Sequence, residues 1–326
     1  GNSDPDHVPD APLVPVSQEG DIWVCGDHRI ACGDSCSLPL WDALMQGDQA
    51  RLCATDPPYN VNYESDLAGK IKNDSMSNSD FRKFLKAAYD VMFAVMEPGA
   101  PLYVAHADTE GYNFRGAALD AGFKLSGCLI WAKNSLVLGR SDWQWRHEPV
   151  LYLWKPGAKH FWYGGRKRTT VIEYGEGNPF QQREDGRWAI NVGGKTLIVS
   201  GDVEIEEHLG SVVYHDKPSR SALHPTTKPV HLWLKFIEPS SRPGDIVIDP
   251  FSGSGTTLIA CEMSGRKARV CDLDPKFVDV AVRRWESFTG KRAVHSKTGE
   301  PFPRDGEARA PAPPPTPALD ADDSLF

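Results

Sequence analysis

No apolar run in this 326-residue chain approaches the roughly twenty residues that span a bilayer, and no cleavable leader opens it. A soluble, cytoplasmic protein with no membrane partner is therefore expected. Cysteine is sparse and unpaired. The seven cysteines are odd in number, and Cys32 and Cys36 have no matching second pair, so neither a disulfide framework nor a zinc set is indicated. The histidines suggest no metal set either. Reduced thiols are expected, with Cys53 and Cys271 filling strand positions as small apolar residues. The glycine-rich turn at 253–255 lacks the lysine that a phosphate-binding loop sets before its Ser or Thr. It also lacks the third glycine of the dinucleotide pattern, whose position is taken by Leu258. An overall basic charge is missing too, since the formal net charge is −8. That deficit lies in the flanks: residues 1–21 carry five acids and no bases, and residues 296–326 carry six acids against three bases. Residues 22–295 are thus neutral, and both Pro-, Ala- and Asp-rich flanks are expected to be disordered.

What is present is a 40% hydrophobic chain, long enough for one sizeable α/β domain and an accessory region. Ser79 is expected to cap a helix over 80–96, ended by Pro98-Gly99. A strand at 102–105, a helix near 109–120 ended by Gly122, and a strand at 125–132 follow. Such alternation predicts a mostly parallel sheet covered on both faces, with ligands at the carboxyl ends of its strands. From 131 to 168 there are eight bases against two acids, interleaved with tryptophan, tyrosine and phenylalanine. This composition suits phosphate contact and base stacking, although 150–154 reads as a core strand. Arg140 and the run Arg166-Lys167-Arg168 are the candidate nucleic-acid contacts.

Four short segments carry the chemistry. The apolar-ended run at 51–55 leads into Asp56-Pro57-Pro58-Tyr59-Asn60. Proline fixes φ and has no amide hydrogen, so Pro57-Pro58 holds an extended backbone with its carbonyls turned outward. A carboxylate, a fixed carbonyl and a flat ring make a receptor for a planar group bearing an amine, such as a nucleobase. The second segment, 245–257, is a short apolar run ending at Asp249, a turn through Phe251, Gly253 and Gly255, and a helix start at Thr256-Thr257. Glycine allows close approach of a ligand, and the helix-start amides would point at it. With no phosphate-binding lysine, the turn favours a non-phosphorylated nucleoside. The next strand, 267–271, ends at Asp272, which is placed to accept from both ribose hydroxyls, while Asp274-Pro275 reads as the cap of a helix running to about 287. The third segment is His224-Pro225-Thr226-Thr227-Lys228-Pro229, before a helical pattern at 230–237, and the fourth is Gly33-Asp34.

Together and in this order these segments resemble the amino-group DNA methyltransferases, which methylate adenine N6 or cytosine N4. The catalytic patch precedes the cofactor loop by roughly two hundred residues, which is similar to the β arrangement of motifs in that family. The resemblance covers about 21–173 and 212–292. It implies a Rossmann-like fold binding S-adenosylmethionine, with Asp56, Pro57, Pro58 and Tyr59 catalytic. Asp34 would face the cofactor adenine, while Thr226 and Lys228, with His224, would hold its methionine end. Asp249, Phe251, Gly253, Gly255, Thr256, Thr257 and Asp272 complete the expected cofactor set. Asp rather than Ser at the first catalytic position favours adenine N6 over cytosine N4.

The resemblance implies double-stranded DNA as partner, base flipping, and a bacterial or phage-encoded enzyme of the restriction-modification type. A homodimer and a cognate restriction endonuclease stay open. So does a catalytically silent DNA-binding regulator on the same fold. A nicotinamide or flavin oxidoreductase is disfavoured by the missing glycine and the Pro-Pro patch. The expected organisation is a disordered linker at 1–20, a catalytic part at 21–133, a target-recognition region at 134–223, a cofactor part at 224–292 and a disordered tail at 293–326. Residues 174–211 depart from the family pattern, and Gly193-Gly194 between β-prone runs predicts a hairpin within a small β insert.

Overall fold

The two apolar runs that precede the catalytic patch and the glycine turn are neighbours in one sheet. The computed structural model describes residues 4–61, 75–137, 142–173 and 227–304, with strand segments at 64–65, 69–70, 180–182, 187–192 and 195–199. In chain order the strands are β1 (Ile22–Cys25), β2 (His28–Cys32), β3 (Leu52–Thr55), β4 (Glu64–Ser65), β5 (Gly69–Lys70), β6 (Pro101–Ala105), β7 (Lys124–Val137) and β8 (Trp145–Trp154). There follow β9 (Val171–Glu173), β10 (Phe180–Gln182), β11 (Trp188–Val192), β12 (Lys195–Val199), β13 (Ile246–Asp249), β14 (Lys267–Asp272) and β15 (Val294–His295). The α-helices are α1 (Leu38–Met45), α2 (Asn78–Val95), α3 (Gly111–Asp120), α4 (Val230–Ser240), α5 (Thr256–Ser264) and α6 (Pro275–Thr289).

Among the described residues the main sheet has the order β15-β1-β2-β14-β13-β3-β6-β8-β7-β9. Its centre, β2 through β6, is parallel, and β3 pairs with β13 in the register Val247↔Leu52 and Ile248↔Cys53. Every residue of β3, β6 and β13 is buried, as expected of strands covered on both faces. Alternation divides them between two cores. Leu52, Ala54 and Val247 pack with Trp233 of α4, Leu258 of α5 and Trp285 of α6. Cys53, Ile248 and Leu102 pack with Trp41 of α1, Phe81 and Tyr89 of α2, and Phe114 of α3. This is the α/β architecture expected from the sequence.

Local signals hold with shifts of a few residues. Helix α2 is capped by Ser77 rather than Ser79: the Ser77 hydroxyl accepts from the Asp80 amide, because Asn78 and Ser79 already have helical backbone. Asp274 caps α6 by accepting from the Lys276 amide, with Pro275 opening the helix. The predicted hairpin is present, with Val192 of β11 opposite Lys195 of β12 and β10 as a third strand.

The expected linker at 1–20 is a correction, since residues 4–20 are folded onto the cofactor half. The Val16 and Ser17 amides donate to the buried Asp279 carboxylate of α6 at 2.6 and 2.9 Å. Arg284 donates to the Pro5 carbonyl at 2.7 Å, and the Val230 amide at the start of α4 donates to Asp6 Oδ1 at 2.8 Å. Pro229 has no side-chain acceptor to cap α4, and Asp6 supplies one from 224 residues away. Composition suggested disorder because it counts only apolar surface, whereas this segment is held by polar groups of the folded core. The start of the expected tail is likewise folded: β15 pairs with β1, and Phe302 packs edge-on against Trp23. Residues 305–326 lie outside the described set.

Candidate active site

Asp56 follows β3 directly and the turn at 250–255 follows β13 directly, so both leave the carboxyl edge of adjacent parallel strands. The edge continues sideways. Asp272 ends β14, and Asp34 lies two residues beyond β2, whose Cys32 is in register with Asp272. Side chains scattered over more than two hundred residues of chain thus converge on one rim.

One buried carboxyl joins the two halves. Asp249 accepts from Thr55 Oγ1 at 2.7 Å, from Thr257 Oγ1 at 2.6 Å and from the Phe251 amide at 3.0 Å. Burial pushes its carboxyl up to about 7, against the pull of the Thr257 and Thr55 hydroxyls and that amide. Thr257 is fully buried and also accepts from Trp233 Nε1 at 2.8 Å. Asp249 and Thr257, expected among the cofactor contacts, are therefore the joint between strand and helix. Their polar atoms are already committed to each other.

The glycine turn is built for close approach. Gly253 has φ +50° and donates its amide to Asp272 Oδ2 at 2.8 Å, while Asp272 Oδ1 accepts from the Asp274 amide at 2.9 Å. Gly255 has φ +84°, and a Cβ there would lie 2.8 Å from the Ala281 Cβ of α6, so only glycine fits the seam between turn and helix. Asp272 thus accepts an amide on each oxygen at the end of β14, beside the glycine turn. The hydroxyls of Thr227 and Ser252 are buried without a hydrogen-bond partner among the described residues. Buried orphan hydroxyls call for a polar ligand or water. Thr227 adjoins Lys228, whose carbonyl accepts from Thr256 Oγ1 at 3.2 Å, so these groups gather at the start of α5. The set fits a nucleoside carrying polar substituents and no phosphate. His224 and Thr226 lie outside the described residues.

The catalytic patch is fixed from both ends. Asn60 has φ +58°, and its side chain accepts from the Met76 amide at 2.6 Å and donates to the Met76 carbonyl at 3.2 Å. The Tyr59 hydroxyl donates to Asp56 Oδ1 at 2.6 Å, and the Tyr59 ring meets Phe114 edge-on. Burial, then the nearby Asp56 and Glu148 carboxylates, push the Tyr59 phenol well above its ordinary value, so it stays protonated.

Lys228 departs from its expected role. Its ammonium donates to Asp56 Oδ2 at 2.6 Å and to Tyr59 Oη at 3.1 Å, and lies 3.2 Å from Glu148 Oε2. Burial alone would lower it, but Asp56 and Glu148 outweigh burial and hold it above its ordinary value. Its geometry is that of a bridge between catalytic carboxylate and sheet. Glu148 of β8 escaped the sequence reading, as did Lys133 of β7, which pairs with it. Burial would raise the Glu148 carboxyl, yet Lys228 and Lys133 bring it down to about 2. The available signal was an acid in an otherwise basic and aromatic stretch.

A sequence model of the N6/N4 methyltransferase family, described as DNA methylase, matches residues 50–283, from the residue pair before β3 into α6. The chain belongs to this DNA methylase family. Two curated relatives span most of it. The type II methyltransferase M.HpaI of Haemophilus parainfluenzae is 25% identical over 279 residues, covering 83% of this chain and 78% of the relative. The DNA adenine methyltransferase YhdJ of Escherichia coli strain K12 is 26% identical over 258 residues, covering 74% and 80%. Among solved structures, the M1.HpyAVI-SAM complex superposes with a TM-score of 0.50 at 20% identity, over 78% of this chain and 97% of that one. The cytosine-N4-specific PvuII DNA methyltransferase gives 0.51 at 15% identity, over 86% and 94%. These superpositions establish the shared methyltransferase fold.

Within this DNA methylase the expected nucleic-acid residues Arg166, Lys167 and Arg168 are not beside Asp56. Arg166 and Lys167 are exposed, and Arg168 half-buried, on the segment that leaves the amino edge of the sheet, where the Tyr163 amide meets the Pro239 carbonyl near the end of α4. Arg140 lies outside the described residues. The β7–β8 hairpin instead points toward the catalytic rim, because β8 runs antiparallel to β6 and β7 antiparallel to β8. Its tip side carries Trp143, 90% exposed, Trp145, 40% exposed, and Arg146, whose Nε donates to the Lys133 carbonyl.

Proposed function

We propose that this DNA methylase transfers a methyl group from S-adenosylmethionine to adenine N6 of a base flipped out of double-stranded DNA. The observation that supports the reading is the parallel pairing of β3 with β13, by which Asp56 and the Gly253 turn leave the sheet at one rim. S-adenosylmethionine, when bound, supplies a sulfonium methyl open to in-line attack. On this chain Asp272 would hold its ribose hydroxyls and Asp34 its adenine. The Gly253 and Gly255 backbone would lie against it, and the Thr227 and Ser252 hydroxyls would meet its polar end.

The remaining work falls to the catalytic patch. An adenine amine is a poor nucleophile because its lone pair is delocalised into the ring. Hydrogen bonds from its two N–H groups to the Asp56 carboxylate and the Pro57 carbonyl favour a pyramidal nitrogen and stabilise the positive charge that develops there. Orientation of the lone pair toward the methyl carbon at about 3–3.5 Å supplies the rest. Tyr59 stacks on the extruded base and offsets about 1–3 kcal/mol of lost stacking. Trp143, Trp145 and Arg146 are the better candidates for duplex contact, since they project beyond the same rim.

Adenine is favoured by Asp56 at the first motif position and by the YhdJ relative, a DNA adenine methyltransferase by name. The test is mass spectrometry of nucleosides from duplex DNA incubated with the protein and S-adenosylmethionine. N6-methyladenine is expected. N4-methylcytosine in its place overturns the choice of base, and no methylated nucleoside overturns the activity.

A further inference from the structure

Each oxygen of the Asp56 carboxylate in the proposed amine receptor accepts from one of the protein's own side chains. Asp56 Oδ1 accepts from the Tyr59 hydroxyl, and Asp56 Oδ2 accepts from the Lys228 ammonium at 2.6 Å. Lys228 Nζ also lies 5.2 Å from the centre of the Tyr59 ring. A cation bound to the carboxylate and facing that ring occupies the kind of seat a base amine needs. The lysine side chain is only 6% exposed, so its charge is largely shielded from water. An amine directed to the side of Asp56 Oδ2 that faces the Tyr59 ring meets the ammonium there, and a displaced ammonium must keep an acceptor, because a buried unpaired cation is strongly unfavourable. The acceptor is in place. Glu148 Oε2 is 3.2 Å from Nζ, and the Lys133 ammonium on Glu148 Oε1 holds that carboxylate in position.

We propose that Glu148 is a positioning residue that takes the Lys228 ammonium off Asp56 when the target amine enters. This rests on the reading of Asp56 as the amine receptor. Glu148 acts through Lys228; its Oε2 also accepts from the Tyr59 hydroxyl, but at 3.3 Å, against the 2.6 Å of that hydroxyl's bond to Asp56 Oδ1. With Glu148 neutralised, the ammonium has Asp56 as its sole anionic partner and stays there. The incoming amine then competes with a fixed internal cation for the same oxygen. Duplex binding through phosphates is not involved, so the loss falls on the chemical step.

The test is a double-mutant cycle on the full chain, with kcat measured at saturating duplex DNA and S-adenosylmethionine. E148Q should lower kcat on the order of tenfold while duplex affinity stays within about twofold. In a K228M background, where no ammonium blocks Asp56, adding E148Q should cost nothing further. The charge-balanced E148Q/K228M protein should therefore match K228M. A plain structural role for Glu148 would add its loss in both backgrounds. If E148Q alone does not fold, the comparison of E148Q/K228M with K228M still decides: equal kcat supports the proposal, and a further drop overturns it. Wild-type kcat for E148Q also overturns it. Asp56→Ala run in the same assay separates the two levels. Full activity there removes the receptor reading itself, whereas the Glu148 cycle bears only on the second seat.

Discussion

A carboxylate that accepts hydrogen bonds from an amine supplies both an acceptor and a negative charge. Asp56→Ala should lower kcat on the order of a hundredfold or more, with cofactor affinity within about twofold, and Asp56→Asn should lose less, because its amide oxygen still accepts one hydrogen bond but without the negative charge. Radiolabelled methyl incorporation into DNA, paired with calorimetry of cofactor binding, checks both halves of that expectation. Glu148 offers a test by pH. Its folded carboxyl sits at about 2 against an ordinary 4.5, so unfolding at intermediate pH takes up a proton. Its contribution to stability is full above 4.5 and is lost as pH falls from 4.5 toward 2. The Tm difference between wild type and Glu148→Gln should accordingly shrink across that window. Asp56, Tyr59 and Asp272 were legible as site candidates because each stands in a compact motif after an apolar run. Glu148 and Lys133 were not, since they sit on different strands and their pairing exists only once β7 and β8 are registered. Lys228 was legible as a site candidate, but its partner was not: sequence names a cation without saying which anion it will meet.

At the level of elements, the strands and helices of the cofactor half followed from punctuation by Pro, Gly and Asp, and their ends moved by only a few residues. The N-terminal segment was misjudged because the groups that hold it are donated by distant elements. Asp6 capping α4 is the clearest case, and Asp6→Ala should destabilise the protein by about 0.5–2 kcal/mol in urea unfolding. The loss of a cap from outside the helix should also loosen the turn that carries Lys228. The β7–β8 hairpin supplies a second test. Trp143 is 90% exposed, so Trp143→Ala should leave Tm within a degree or two while weakening duplex binding by about 1–3 kcal/mol. Fluorescence anisotropy with a labelled duplex reads the binding and a thermal melt reads the fold. The basic run at 166–168 looked the stronger DNA candidate in sequence because charge density is visible there and strand direction is not.

For the whole molecule, the adjacency of two motifs some two hundred residues apart is the feature sequence could state only through resemblance. Parallel pairing of β3 with β13 creates it, and Asp249 locks it by holding Thr55 on one side and Thr257 on the other. Asp249→Ala should leave the Thr55 and Thr257 hydroxyl protons and the Phe251 amide without their acceptor, lowering stability by about 2–4 kcal/mol in guanidinium unfolding. The spacing between Asp56 and the Gly253 turn is consequently gauged by one side chain, hydrogen-bonded to Thr55 on one side and Thr257 on the other. Genes that encode the two halves in the opposite order could still yield the same working distance, provided these strands remain side by side and one acid spans them.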